Sequence, residues 1–177
     1  IRDRDVYRFA TGETVMLPPL DANGEGTRPV SLSRPLDFVA VTDHAEYLAE
    51  IRGCTDPESE VYATTMCVEY RAGGQDSVYQ FGLPLADTMP TRFEELCGDG
   101  AMDCPVVAAG VWSEIQDAAE TYYDRSSTCG LTTFVAYEYS GTPLVRNAHR
   151  NVIFRNAEVP AMPTSYFDQP DVWKLWE

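Results

Sequence analysis

The sequence predicts an α/β fold, and three observations carry that expectation. Phe38, Val39, Ala40 and Val41 form an apolar run with no polar face, the pattern of a parallel strand covered on both sides. Residues 134–139 and 151–155, the latter around Val152, Ile153 and Phe154, read as two more strands, punctuated between by Gly141 and Pro143. After Cys104-Pro105, the residues Val107, Val111, Ile115, Ala118, Ala119 and Tyr122 recur at three- and four-residue spacing, opposite Glu114, Gln116, Asp117 and Glu120. That spacing predicts an amphipathic helix packed by one face on a sheet, with Trp112, Tyr122 and Tyr123 in packing rather than ligand stacking.

Taken in order, the segment DRDVYRFATGETVMLP predicts a short helix over Asp3–Ala10 closed by Gly12, then an extended stretch. The apolar run at 38–41 ends in Thr42-Asp43-His44, polar residues at the carboxyl end of a strand, which in α/β barrels is where chemistry sits. Residues 55–91 have weak periodicity and several Gly, Asp and Pro residues, and read as a long insertion after that strand, placed to shape substrate access. No run approaches the 18 or so apolar residues of a membrane span.

The chain has two histidines, His44 and His149, and both lie beside strand-like segments with acidic or amide neighbours. Folding the last two strands back on each other as a hairpin brings His149 close to Glu138, so that a carboxylate and an imidazole can share a metal. The plainer readings are a surface or hydrogen-bonded His44, and a Glu138 paired with Arg146 or Arg150. Arg150 is a candidate contact for a substrate oxyanion, or else a rim residue pairing with one of the many carboxylates.

The blocks YRFATGE, RPLDFVAVTDHAEYLAE, VWSEIQDAAETYYD, TTFVAYEYSG and NAHRNVIFRNAEVP, in this order, resemble the bacterial group called domain of unknown function 3604. TDH after an apolar strand, with a strand-end Glu and a His eleven residues later, also resembles motifs of the polymerase and histidinol phosphatase (PHP) superfamily. The resemblance implies a distorted seven-stranded, TIM-like (β/α) barrel whose rim holds two or three divalent ions, zinc, manganese or iron, and hydrolyses phosphate esters. It implies His44 and His149 as metal ligands, Glu138 as a bridging carboxylate, and Asp43 as a ligand or as a residue fixing the orientation of a neighbouring imidazole. The His-x-His strand, later histidine and Asp-x-His pair of such proteins are not in this sequence. Together with a start at Ile1 and an end inside DVWKLWE, this leads to the expectation that residues 1–177 are one partial PHP-like domain, an internal piece that works with the rest of a parent chain.

Acidic residues number 28 against 13 basic ones, a net charge of −15, which argues against a nucleic-acid partner. For a small anionic substrate such as a phosphate ester, bound cations would invert the local sign. The five cysteines form no Cys-x-x-Cys and lie in loop-like stretches, so disulfides are expected, the nearest pairs being Cys54–Cys67 and Cys97–Cys104, with Cys129 left for a partner outside. The implied location is periplasmic or exported, with five reduced thiols in a cytoplasmic protein as the alternative. Two function classes follow: a metal-dependent hydrolase, or an exported metal-binding or structural protein without turnover. No Gly-x-Ser-x-Gly or Gly-rich phosphate loop supports other hydrolytic chemistry.

Overall fold

Helix propensity and capping place α1 at Asp3–Ala10, where Gly12 at φ 89° ends the helical path at a conformation that glycine adopts without a side-chain clash. Strands β1 (Val15–Leu20), β2 (Gly26–Val30) and β3 (Phe38–Ala40) follow, then helices α2 (Leu48–Thr55), α3 (Thr65–Ala72), α4 (Gln75–Gly82), α5 (Glu94–Cys97) and α6 (Cys104–Tyr122). Strands β4 (Thr132–Phe134), β5 (Ala136–Gly141) and β6 (Ala148–Ile153) come last. The computed structural model describes residues 3–176. The fold is mixed α/β, and among the described residues the strands form three two-stranded sheets, β1-β2, β3-β4 and β5-β6, with no closed barrel.

The chain divides into two units. One holds Ile1–Val41, Glu114–Ala136 and Ile153–Val159. In it α1 buries Tyr7, which stacks on Tyr122 with ring centroids 5.6 Å apart. Strands β3 and β4 run parallel, Phe38 opposite Thr132, and β4 is tied to α6 by the Thr133 hydroxyl donating to the Ala119 carbonyl at 2.6 Å. The expected parallel strand is therefore present, but it is not buried on both faces. Phe38, at the start of the strand, is 68% exposed, while Val39 and Ala40 are half-buried, so no layer of side chains covers both faces.

The other unit holds Thr42–Ser113, Tyr137–Val152 and Pro160–Glu177. Its core is aromatic: Tyr47 packs on Phe81, Phe93 and Phe167 at centroid distances of 5.1, 5.6 and 5.2 Å, and its hydroxyl donates to the Phe81 carbonyl. Tyr137 stands edge-on to the buried Trp112, whose indole N–H donates to the Pro160 carbonyl at 2.9 Å. The helix spacing thus reports packing at Trp112, as expected. Within residues 55–91, α3, α4 and a short 3-10 turn at Pro84–Ala86 are separated by turns, and Phe81 seats α4 on Tyr47. At Gly53 a Cβ would lie 2.7 Å from Val61 and 2.9 Å from Met102, so a larger residue there would push those two side chains aside.

The last strand begins earlier than its apolar residues indicate. Chain pairing starts at Ala148, so His149 lies within β6 and not before it, and the polar stretch from His149 to Asn151 is largely exposed. The disulfides are Cys54–Cys67, joining α2 to α3, and Cys97–Cys104, joining α5 to the start of α6; Cys129 is a free, exposed thiol. No helix among the described residues is long and apolar enough to cross a membrane.

Thiol titration of the unreduced, denatured protein is expected to find a single reactive thiol, that of Cys129, and the full set of five after reduction. Replacing Cys54 and Cys67 by serine is expected to lower the unfolding free energy by about 3 kcal/mol. Five reactive thiols before reduction would contradict both pairings.

Candidate functional site

Beyond β3 the chain stays extended as far as His44, which makes a parallel bridge with Glu138 of β5; the Glu138 N–H donates to the Asp43 carbonyl at 2.8 Å. The chain then turns through a short 3-10 segment, Ala45–Tyr47, into α2. The Thr-Asp-His triplet therefore does fall where a strand gives way to a helix. In β5 the side chains alternate, so the buried Tyr137 and Tyr139 share one face while Glu138 and Ser140 share the other.

On that second face β6 brings in His149, whose Nδ1 lies 2.6 Å from Glu138 Oε1. The Ser140 hydroxyl donates to the same oxygen at 3.0 Å. The other oxygen, Oε2, stands 4.0 Å from His44 Nε2, too far for a hydrogen bond. The two imidazoles lie edge to face with centroids 6.0 Å apart. Glu138 thus directs one oxygen to each histidine. Burial raises the pKa of the Glu138 carboxyl, but the hydrogen bonds from His149 and Ser140, with the nearby imidazoles, outweigh it and hold the group below its ordinary value. An ionised Oε1 accepts, so the His149 Nδ1 carries the proton and its Nε2 remains free.

The donor set suits a divalent cation of the zinc, manganese or iron type. Two coordination bonds of about 2.1 Å at a tetrahedral angle hold their donor atoms about 3.4 Å apart, so the 4.0 Å separating His44 Nε2 from Glu138 Oε2 would have to close slightly around one ion. A second cluster of ligand-type atoms, from Glu50, Cys97 and Cys104, lies within 4.8 Å, but its two sulfurs are joined to each other as a disulfide and offer no thiolate.

The remaining expected residues take other positions. Asp43 is half-buried and enters through its backbone carbonyl, the acceptor that sets the Glu138 register. Arg150 is exposed, and one arm of its guanidinium donates to the His149 carbonyl at 2.8 Å. Among the described residues it makes no ion pair with a carboxylate.

Sequence reasoning missed the carboxylates beneath the site. Glu46 and Glu50, one helical turn apart, are both fully buried. Glu46 Oε1 accepts the backbone N–H groups of Ser140 and Tyr166 at 2.9 and 3.0 Å, while its Oε2 has no hydrogen-bond partner and lies 3.9 Å from His44 Nδ1. Burial raises the Glu46 pKa, opposed by those two N–H donors; burial raises that of Glu50, opposed by Arg92. Arg92 donates to Glu50 at 2.9 Å and to the Glu46 carbonyl at 2.8 Å. The signal in the sequence was a pair of acids at i and i+4 inside the otherwise apolar AEYLAEI, but the arginine that balances Glu50 lies 42 residues further on.

Residues 1–177 match the model of the family described as Protein of unknown function (DUF3604). The chain belongs to the DUF3604 family. No curated protein and no solved structure matches it. The match spans His44, Glu138 and His149, so the arrangement described here lies within the DUF3604 region of the chain.

Replacing Arg92 by alanine strands the buried Glu50 charge and is expected to destabilise the protein by about 3 kcal/mol in urea unfolding. Adding Glu50→Gln to that variant is expected to recover part of the loss. Unchanged stability on Arg92→Ala would show that Glu50 does not depend on its partner.

Proposed function

We propose that this chain is part of a metal-dependent hydrolase of phosphate esters, built as a portion of a distorted, seven-stranded PHP-type barrel and carrying a di- or trinuclear centre when complete. The observation that carries the reading is the Glu138 carboxylate facing two imidazoles, 2.6 Å from one and 4.0 Å from the other, at the end of a parallel strand pairing. A parallel β3-β4 pair and a parallel His44–Glu138 bridge are pieces that a barrel wall would use. Two imidazoles and one carboxylate would leave coordination positions open to further ligands.

In this reading His44 Nε2, Glu138 Oε2 and His149 Nε2 are the donor atoms, and Asp43 adds a carboxylate next to His44 in the chain. Bound cations would lower the pKa of a coordinated water and stabilise the departing oxygen. Ser140 keeps the Glu138 carboxylate oriented through its hydroxyl. Arg150 spends one nitrogen on the His149 carbonyl and keeps the rest of its donors open to solvent, where they can receive a phosphoryl oxygen. Such a cation-lined site suits a small anionic substrate in a chain of net charge −15. The two disulfides favour an oxidising compartment, hence an exported or periplasmic protein.

The test uses the full-length protein purified without chelators, with p-nitrophenyl phosphate as substrate and manganese or zinc supplied. His149→Ala and His44→Ala are each expected to lower bound metal and to reduce kcat/KM at least about 100-fold, with the circular dichroism spectrum unchanged. Metal content equal to wild type in His149→Ala would overturn the ligand assignment. Metal uptake without turnover on any phosphate ester would replace the hydrolase reading with that of an exported metal-binding protein.

A further inference from the structure

The carboxylate of Glu46 is the one fully buried acid at the site with an oxygen lacking any hydrogen-bond partner among the described residues. Its other oxygen is fixed by two backbone donors, Ser140 N–H and Tyr166 N–H, which come from segments 94 and 120 residues away in sequence. The carboxylate is therefore anchored from below and has little freedom to turn. Its free Oε2 points to the Nδ1 side of His44 at 3.9 Å, while the opposite ring nitrogen, Nε2, faces Glu138 Oε2 at 4.0 Å. His44 stands between two carboxylates, one hidden and one on the candidate centre.

We propose that Glu46 is a positioning residue for His44: its free Oε2 takes the imidazole Nδ1–H, which leaves Nε2 bare and directed to the space shared with Glu138. The proposal rests on the metal-centre reading above and extends it to a residue that touches no bound group. Closing 3.9 Å to a hydrogen bond of about 2.8 Å falls to the ring, 55% exposed in its side chain, which turns Nδ1 toward the anchored carboxylate while Nε2 still faces Glu138. An imidazole binds metal through an unprotonated nitrogen, so fixing the proton on Nδ1 selects the productive tautomer and sets the ring plane. Asp43, adjacent to His44 in the chain, fixes the register of β5 here through its backbone carbonyl. Ser140 joins the two carboxylates physically, since its N–H holds Glu46 and its hydroxyl holds Glu138. The orientation of the ligand His44 and that of the ligand Glu138 are thus set by one residue of β5.

The test reads the His44 tautomer directly. Long-range proton–nitrogen correlation spectra of metal-free, 15N-histidine-labelled full-length protein, recorded near pH 8.5 where an ordinary imidazole is neutral, identify the His44 and His149 rings by the signals lost in His44→Ala and His149→Ala. The wild type is expected to show His44 protonated on Nδ1. In Glu46→Gln the amide oxygen can keep the Ser140 and Tyr166 donors while its NH2 faces Nδ1, so His44 is expected to move to the Nε2–H form with His149 unchanged. Zinc affinity is expected to fall about 10- to 100-fold. An Nε2–H tautomer in the wild type, as a protonated Glu46 would impose, overturns the proposal without any variant, and an unchanged tautomer in Glu46→Gln does the same. A wild-type protein that shows the Nδ1–H form yet takes up no zinc supports the positioning role and overturns the metal-centre reading, so the two fail separately.

Discussion

The arrangement at this site depends on a single register, set where the Glu138 N–H meets the Asp43 carbonyl at 2.8 Å. Side chains alternate along a strand, so a slip of one residue would turn Glu138 toward the aromatic face and put Tyr137 or Tyr139 in its place. Those tyrosines guard the register. Tyr137 is held against Trp112, and Tyr139 stands edge-on to Tyr166 and donates to the Gln169 carbonyl at 2.8 Å. Packing on one face of β5 thus determines the chemistry presented on the other.

Below that strand lies a polar layer that a hydrophobic core of this size would not contain without reason. Burying two carboxylates is costly unless each is supplied with donors. Glu50 is supplied by Arg92, whose guanidinium also lies 5.0 Å over the Phe167 ring. Glu46 is supplied on one oxygen only. The stability given up at that oxygen is the kind of local cost that proteins retain where a functional group needs orientation. The aromatic cluster around Tyr47 and the link between Cys54 and Cys67, which ties α2 to α3, hold the backbone that carries these acids.

Local patterns made much of this legible in the sequence. The first helix with its Gly12 stop, the long helix from Cys104, the parallel strand before Thr42 and both cysteine pairings follow from spacing and composition. The approach of His149 to Glu138 followed from pairing two strands across a short loop. Long-range features did not show. An apolar run signals a strand but not what packs over each of its residues, and Phe38 is exposed while Val39 and Ala40 are half-buried. The start of β6 was hidden because the polar residues from His149 to Asn151 carry no hydrophobic alternation. Glu46 was hidden because its donors, Ser140 and Tyr166, become its neighbours only in the folded chain.

On the proposed reading a cation binds at the imidazoles and Glu138, and not at the disulfide beside Glu50. X-ray absorption at the zinc edge of the zinc-loaded full-length protein tests this most directly. A first shell of nitrogen and oxygen alone at about 2.0–2.2 Å, with the outer scattering of imidazole rings, is the result the structure leads to. Sulfur scattering at about 2.3 Å, or no zinc retained after loading, would contradict it.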